Sequence, residues 1–142
     1  MSSTFSQYVF VYGTLKRAYG NNKLLRDSEF IGTYETTELF FLGDVGYPYA
    51  FEASLLEDHE EKEELLKPVL GELFHVTEPK VAASLDCLEG YSEGCEWNHY
   101  DKRQVSLAGT DITPMMYTQP RLITTNGVRY CKSYEGAWTW EP

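Results

Sequence analysis

Two short segments carry residue types and spacings that could do chemistry. The first is VYGTLK, residues 11–16, where an apolar run stops at Gly13 and passes into Thr14, Leu15 and Lys16. Backbone N–H groups released from a sheet at a glycine can converge on an anion, such as a carboxylate, without any cationic side chain. A strand followed by Gly-Thr also reads as an ordinary turn. The second segment is LDCLEGY, residues 85–91, in which Glu89 falls at the last turn of an expected helix, immediately before Gly90. The negative end of a helix dipole disfavours a carboxylate there by a few tenths to about 1 kcal/mol. Lys would be the ordinary surface choice, so a Glu suggests another requirement. The dipole and partial burial would both push the Glu89 carboxyl up from its usual range, toward a value suited to proton transfer at neutral pH. The plain alternative is an exposed helical Glu.

These segments need elements to hold them. Residues 8–12 (YVFVY) are short, apolar and rich in β-branched and aromatic types, which predicts a strand buried on both faces and ended by Gly13. Residues 29–37 (EFIGTYETT) alternate well enough for a second strand with Gly32 as a bulge. Residues 39–42 and 49–52 are further extended runs, and 69–76 (VLGELFHV) alternates most clearly. The period then changes. Thr77 can cap a helix, Pro79 suits its first turn, and Val81, Leu85 and Leu88 share one apolar face with Ala82 beside them. Gly90 closes that helix as a left-handed residue. Asn21 or Asn22 can cap a short helix through Leu24 and Leu25. Residues 105–107 and 115–117 read as strands, and Asn126-Gly127 is a strong hairpin signal between 122–125 and 128–131. Strands dominate and one helix is clear, so the expected class is α+β with a closed or strongly curled sheet.

Composition narrows the function classes. The chain has 142 residues, with 22 Asp and Glu against 12 Lys and Arg, a formal net charge of −10. Phosphate binding is driven by clustered Lys and Arg, so a nucleic-acid partner is not expected, nor is docking on an anionic membrane. Half of that charge sits in residues 57–64 (EDHEEKEE), whose six carboxylates and one Lys net −5 and read as a solvated face. Cys87, Cys95 and Cys131 show no C-x-x-C spacing, and His59, His75 and His99 form no H-E-x-x-H pattern, so a metal site is not expected. The N-terminal residues MSSTFSQYVFVYG hold no basic n-region and no long apolar stretch. A single domain over residues 1–142 in a reducing, cytoplasmic setting is the expectation.

Taken together and in order, the motifs resemble the gamma-glutamylcyclotransferase-like family. They are YGTLK near the N-terminus, Gly46-Tyr47-Pro48, the V-x-GELF-x-V strand, LDCLEGY, and Tyr100 before a strand. The resemblance runs from Val9 to about Tyr117 and implies a small closed mixed β-barrel with a few helices. It also implies an enzyme, a gamma-glutamyl cyclotransferase. Members cyclise a gamma-glutamyl group: the free α-amine attacks the γ-carbonyl of the same molecule, forms 5-oxoproline and expels the amine partner, without cofactor or metal. Ring closure already holds both reactants together, and well-oriented intramolecular attack reaches effective molarities on the order of 10⁵ M or more.

By this resemblance Glu89 is the general acid/base, and Tyr12, Gly13, Thr14 and Leu15 form the loop whose backbone N–H groups hold the glutamyl moiety. Tyr117 matches a position where the family often has a tyrosine near the substrate. Asp86 is expected to fix the helix end rather than to react. The implied partner is a small gamma-glutamyl amine or amide, with no bearing on oligomeric state. Where the family commonly has Arg two residues after Tyr100, this chain has Lys102 followed by Arg103, and residues 53–68 are longer than compact members require. Two other readings remain open on the sequence. One is a non-catalytic binding or regulatory protein on the same fold; the other is an enzyme acting on a glutamyl group of a carrier or protein.

Overall fold

The run YVFVY does become a strand buried on both faces, because it occupies the middle of a sheet. In the computed structural model, β1 runs Gln7–Val11, and Val9 to Tyr12 are each at most 6% exposed. The structure describes residues 6–13, 25, 28–44, 48–53, 66–88, 100–118, 129–130, 132–134 and 137–139. Strands β2 (Glu29–Glu35), β3 (Phe40–Asp44), β4 (Pro48–Glu52) and β5 (Leu70–Val76) precede a helix, α1 (Pro79–Leu88). Strands β6 (Asp101–Gln104), β7 (Met115–Thr118), β8 (Arg129–Tyr130), β9 (Lys132–Tyr134) and β10 (Ala137–Thr139) follow it.

The main sheet has the order β2-β5-β1-β7-β6. Its centre is mixed: β1 pairs antiparallel with β5, Val9 opposite Phe74, and parallel with β7, Val9 opposite Met115. The register of β2 against β5 shifts between Phe30 and Gly32, where the sequence places its bulge. A three-stranded sheet, β4-β3-β8, and a two-stranded pair, β10-β9, complete the strands. Phe41 and Phe51 lie directly opposite each other on β3 and β4, with ring centroids 5.6 Å apart. Both are fully buried, and such a cross-strand aromatic pair contributes roughly 0.2–1 kcal/mol beyond Ala–Ala.

The closed barrel is not there; the sheet is open. Closure needs a continuous staggered ladder between the two edge strands, and these edges are β2 and β6. Among the described residues they are linked past their ends by one bridge, Thr36 opposite Leu107. Beside it Thr37 N–H donates to the Ser106 carbonyl and Ala108 N–H to that of Glu35, both at 2.9 Å. The edge strand β6 has four residues, and beyond it Val105 N–H still donates to the Pro114 carbonyl at 2.9 Å, but among the described residues no continuous ladder to β2 forms. This also corrects the expected strand at 105–107. Val105 and Leu107 are 1% and 4% exposed, so their apolar character marks burial; the strand itself is the polar DKRQ segment before them, and Leu107 makes an isolated bridge to Thr36.

Helix α1 begins at Pro79 as expected. Its first carbonyl acceptor is that of Glu78, which receives Val81 N–H at 3.0 Å and Ala82 N–H at 3.3 Å. Glu78 therefore occupies the cap position, with Thr77 one residue outside. Val81, Ala82 and Leu85 face the core, Leu85 with no exposure, and burying a Leu is worth roughly 1.5–3 kcal/mol. The expected closing Gly90, and the loop and capped turn at 20–24, lie outside the described residues. So do Asn126, Gly127 and most of that expected hairpin; of its flanks, Arg129 and Tyr130 pair with Asp44 and Gly43 of β3.

Candidate functional site

The parallel pair decides where a site can form. Strands β1 and β7 run in the same direction side by side, so their C-terminal ends emerge together. Each chain then has to turn away from the sheet there, which is why ligands favour the carboxyl ends of parallel strands. On β1 this is the Tyr12-Gly13 exit, where the strand ends and the YGTL motif begins. Tyr12 is buried and Gly13 half-buried.

Four side chains and one carbonyl link the elements around this end. The Tyr12 hydroxyl donates to the backbone carbonyl of Tyr117 on β7 at 2.5 Å. The Tyr117 hydroxyl donates to Asp86 Oδ1 on the last turn of α1, also at 2.5 Å. Lys102 Nζ on β6 donates to the same Asp86 oxygen at 2.9 Å and lies 5.8 Å from the centroid of the Tyr117 ring. Lys102 and Tyr117 are direct partners in the β6–β7 ladder. Opposite residues of an antiparallel pair project to one face, so the pairing explains why both reach the helix end that covers that face. The exposed fractions of the Lys102 and Asp86 side chains are 9% and 28%, so the ion pair is largely shielded. Charge-assisted bonds of this kind are shorter and stronger than neutral ones.

Of the residues the sequence singles out, Tyr12 and Tyr117 are thus joined by a hydrogen bond, with Gly13 next in the chain. Asp86, on the last turn of α1, accepts from both Tyr117 and Lys102. Thr14, Leu15 and Glu89 lie outside the described residues, as does the acidic run 57–64. Lys102 is the residue that sequence reasoning under-read, noted as a departure from a family pattern and given no role. Local sequence gives it no distinguishing mark, because it sits between Asp101 and Arg103 in a run of charged residues. Among the described residues no group of three or more His, Cys, Asp or Glu is arranged to hold a metal ion. No helix among them is long and apolar enough to cross a membrane.

Among the described residues, an open mixed sheet, a helix packed against it and a polar cluster at the carboxyl ends of a parallel strand pair make a small α+β fold of the AIG2-like type. The chain belongs to the gamma-glutamyl cyclotransferase, AIG2-like family, whose model matches residues 9–139. It is 30% identical over 118 residues to a Methanocaldococcus jannaschii protein provisionally named a gamma-glutamylcyclotransferase, covering 80% of this chain and 85% of that one. A similarly named Arabidopsis thaliana protein is 31% identical over 119 residues, but this chain spans only 56% of its length. In fold it is similar to the crystal structure of a mouse AIG2-like protein, with a TM-score of 0.63, 24% identity and 96% of both chains covered.

Proposed function

We propose that this chain cyclises the gamma-glutamyl group of a small gamma-glutamyl amine or amide to 5-oxoproline and releases the amine. Family membership supports cyclotransferase chemistry in general. The observation that carries the particular reading is the hydrogen-bonded chain from Tyr12 through Tyr117 to Asp86. It joins the exit of β1, from which the YGTL motif continues, to the end of α1, from which the LDCLEG motif continues. Three residues of chain span at most about 11 Å, so covalent geometry alone ties the carboxylate-bearing position 89 to the Asp86 anchor. This supports a reading in which the YGTL and LDCLEG motifs act together at one end of the sheet.

In this reading the glutamyl moiety is held by backbone N–H groups of the Tyr12, Gly13, Thr14 and Leu15 segment, with Tyr117 beside it. The α-nitrogen attacks the γ-carbonyl carbon, forming the ring C–N bond, and the bond to the departing nitrogen breaks. Glu89 takes a proton from the attacking nitrogen and delivers one to the leaving nitrogen, whose anion is too basic to depart unprotonated. No net oxidation occurs, and the proton count balances through the single carboxylate.

The test is incubation of the full chain with a panel of gamma-glutamyl amines, amides and amino acids, with 5-oxoproline followed by mass spectrometry. Wild type is expected to release 5-oxoproline from at least one class. Glu89→Gln, with an unchanged circular dichroism spectrum, is expected to lose turnover by about 10²-fold or more. Silence of the wild type on the whole panel favours the binding or regulatory reading, and wild-type turnover by a folded Glu89→Gln protein removes the proposed base.

A further inference from the structure

The last turn of α1 contains no basic residue, yet it bears Asp86. A carboxylate at the negative end of a helix dipole is disfavoured unless a cation compensates, and here the cation comes from another element. Lys102 sits on β6, an edge strand. Edge strands commonly carry lysines, but those point to water and guard the edge. This one is 9% exposed and its ammonium lies 2.9 Å from Asp86 Oδ1. A largely buried ammonium is unfavourable unless paired, so the position is held by its contact with the helix. The Tyr117 hydroxyl converges on the same oxygen, and Tyr117 faces Lys102 across the ladder. One carboxylate oxygen on α1 is therefore fixed by two donors from two adjacent strands.

We propose that Lys102 is a positioning residue for the cyclotransferase reaction. Through Asp86 it fixes the last turn of α1, and so the place from which the chain presents Glu89 to a substrate held at the Tyr12–Gly13 exit. The proposal rests on the preceding reading of Glu89 as the acid/base. It assigns Lys102 no contact with substrate. The Lys102 charge acts on the geometry of the carboxylate, so its loss should slow the chemical step and leave substrate affinity alone.

The experiment compares Lys102→Met, Lys102→Arg and wild type by kcat and KM on the best substrate of the panel, together with amide hydrogen exchange across α1. Lys102→Met keeps the aliphatic stem and removes the charge. It is expected to lower kcat by about 10–100-fold, since small misplacements of a reacting group have effects of that size. Its KM is expected to stay within about twofold, because ground-state binding is unchanged. Exchange in the last turn of α1 should quicken in the same variant, and Lys102→Arg should recover most of kcat. Asp86→Asn keeps the shape and the acceptor oxygen, and it carries the same expectation if Lys102→Met does not fold. Wild-type kcat in either folded variant, or a loss seen only in KM, overturns the proposal while the cyclotransferase reading stands. A wild type that makes no 5-oxoproline removes that reading and this proposal with it.

Discussion

The hydroxyl of Tyr12 reaches the carbonyl of a residue 105 positions later in the chain, in a buried environment. A net hydrogen bond of this kind is worth about 1 kcal/mol, and the second lone pair of the carbonyl limits the penalty of losing it. Tyr12→Phe keeps the ring and its packing, so we expect a loss of about 1 kcal/mol, read as a lower urea midpoint at unchanged m-value. An unchanged midpoint would mean that the bond adds nothing to holding β1 against β7 at this end. At this scale the sequence was legible where a residue type was out of place for its position. Glu89 drew attention for that reason, though it lies outside the described residues, whereas Asp86 was noted only beside the family motif. Lys102 did not, because a lysine between Asp101 and Arg103 is indistinguishable from a solvated one until its ladder partner is known. Convergence of two donors on one oxygen depends on register, and register is a long-range property.

Whole elements were legible in proportion to how far side-chain pattern, rather than backbone pairing, defines them. Strands β1, β2, β3, β4, β5 and β7 each fall on an apolar or alternating run, and α1 on a 3.6-residue period opened by Pro79. Strand β6 (DKRQ) and the short pair β9 and β10 have no such pattern. They are strands because a neighbouring edge offers hydrogen bonds, which is why strand propensity depends so strongly on context. Gly71 on β5 shows what pairing demands of a residue. A Cβ there would lie 2.6 Å from the Val11 carbonyl oxygen and 2.6 Å from Phe10 Cζ. The ring can adjust but the backbone oxygen cannot, and Val11 is the last residue of β1 before the site. Gly71→Ala is therefore expected to destabilise the fold by about 1–3 kcal/mol, in the range of overpacking. Equal thermal midpoints for variant and wild type would show that the β1–β5 approach relaxes without strain.

At the scale of the molecule, the expectation of a closed barrel failed because closure is decided by strand length and stagger, neither of which local pattern records. In place of a continuous ladder, discrete contacts join the five-stranded sheet to the three-stranded one, among them the backbone bridge between Phe40 and Lys67 and the side chain of Arg103 on β6. Its Nη1 donates to Glu52 on β4 at 3.1 Å and its Nη2 to Glu38, just before β3, at 2.5 Å. Its guanidinium carbon also lies 5.8 Å from the centroid of the Phe40 ring on β3. The fork geometry lets one cation hold two carboxylates, which a lysine could not reproduce. Yet about a third of each of these side chains is exposed, 33% for Arg103 and 38% for both glutamates, so solvent screens the attraction. Arg103→Met removes the charge, keeps much of the stem, and leaves two neighbouring carboxylates in a chain whose net charge is already −10. We expect a loss of less than about 1 kcal/mol at low ionic strength, shrinking as salt is added. The comparison must be the difference between variant and wild type at each salt concentration, because screening also relieves the general self-repulsion of so acidic a protein. A difference that persists undiminished at about 1 M salt, where the Debye length is only about 3 Å, would assign the tie to packing against Phe40 rather than to charge.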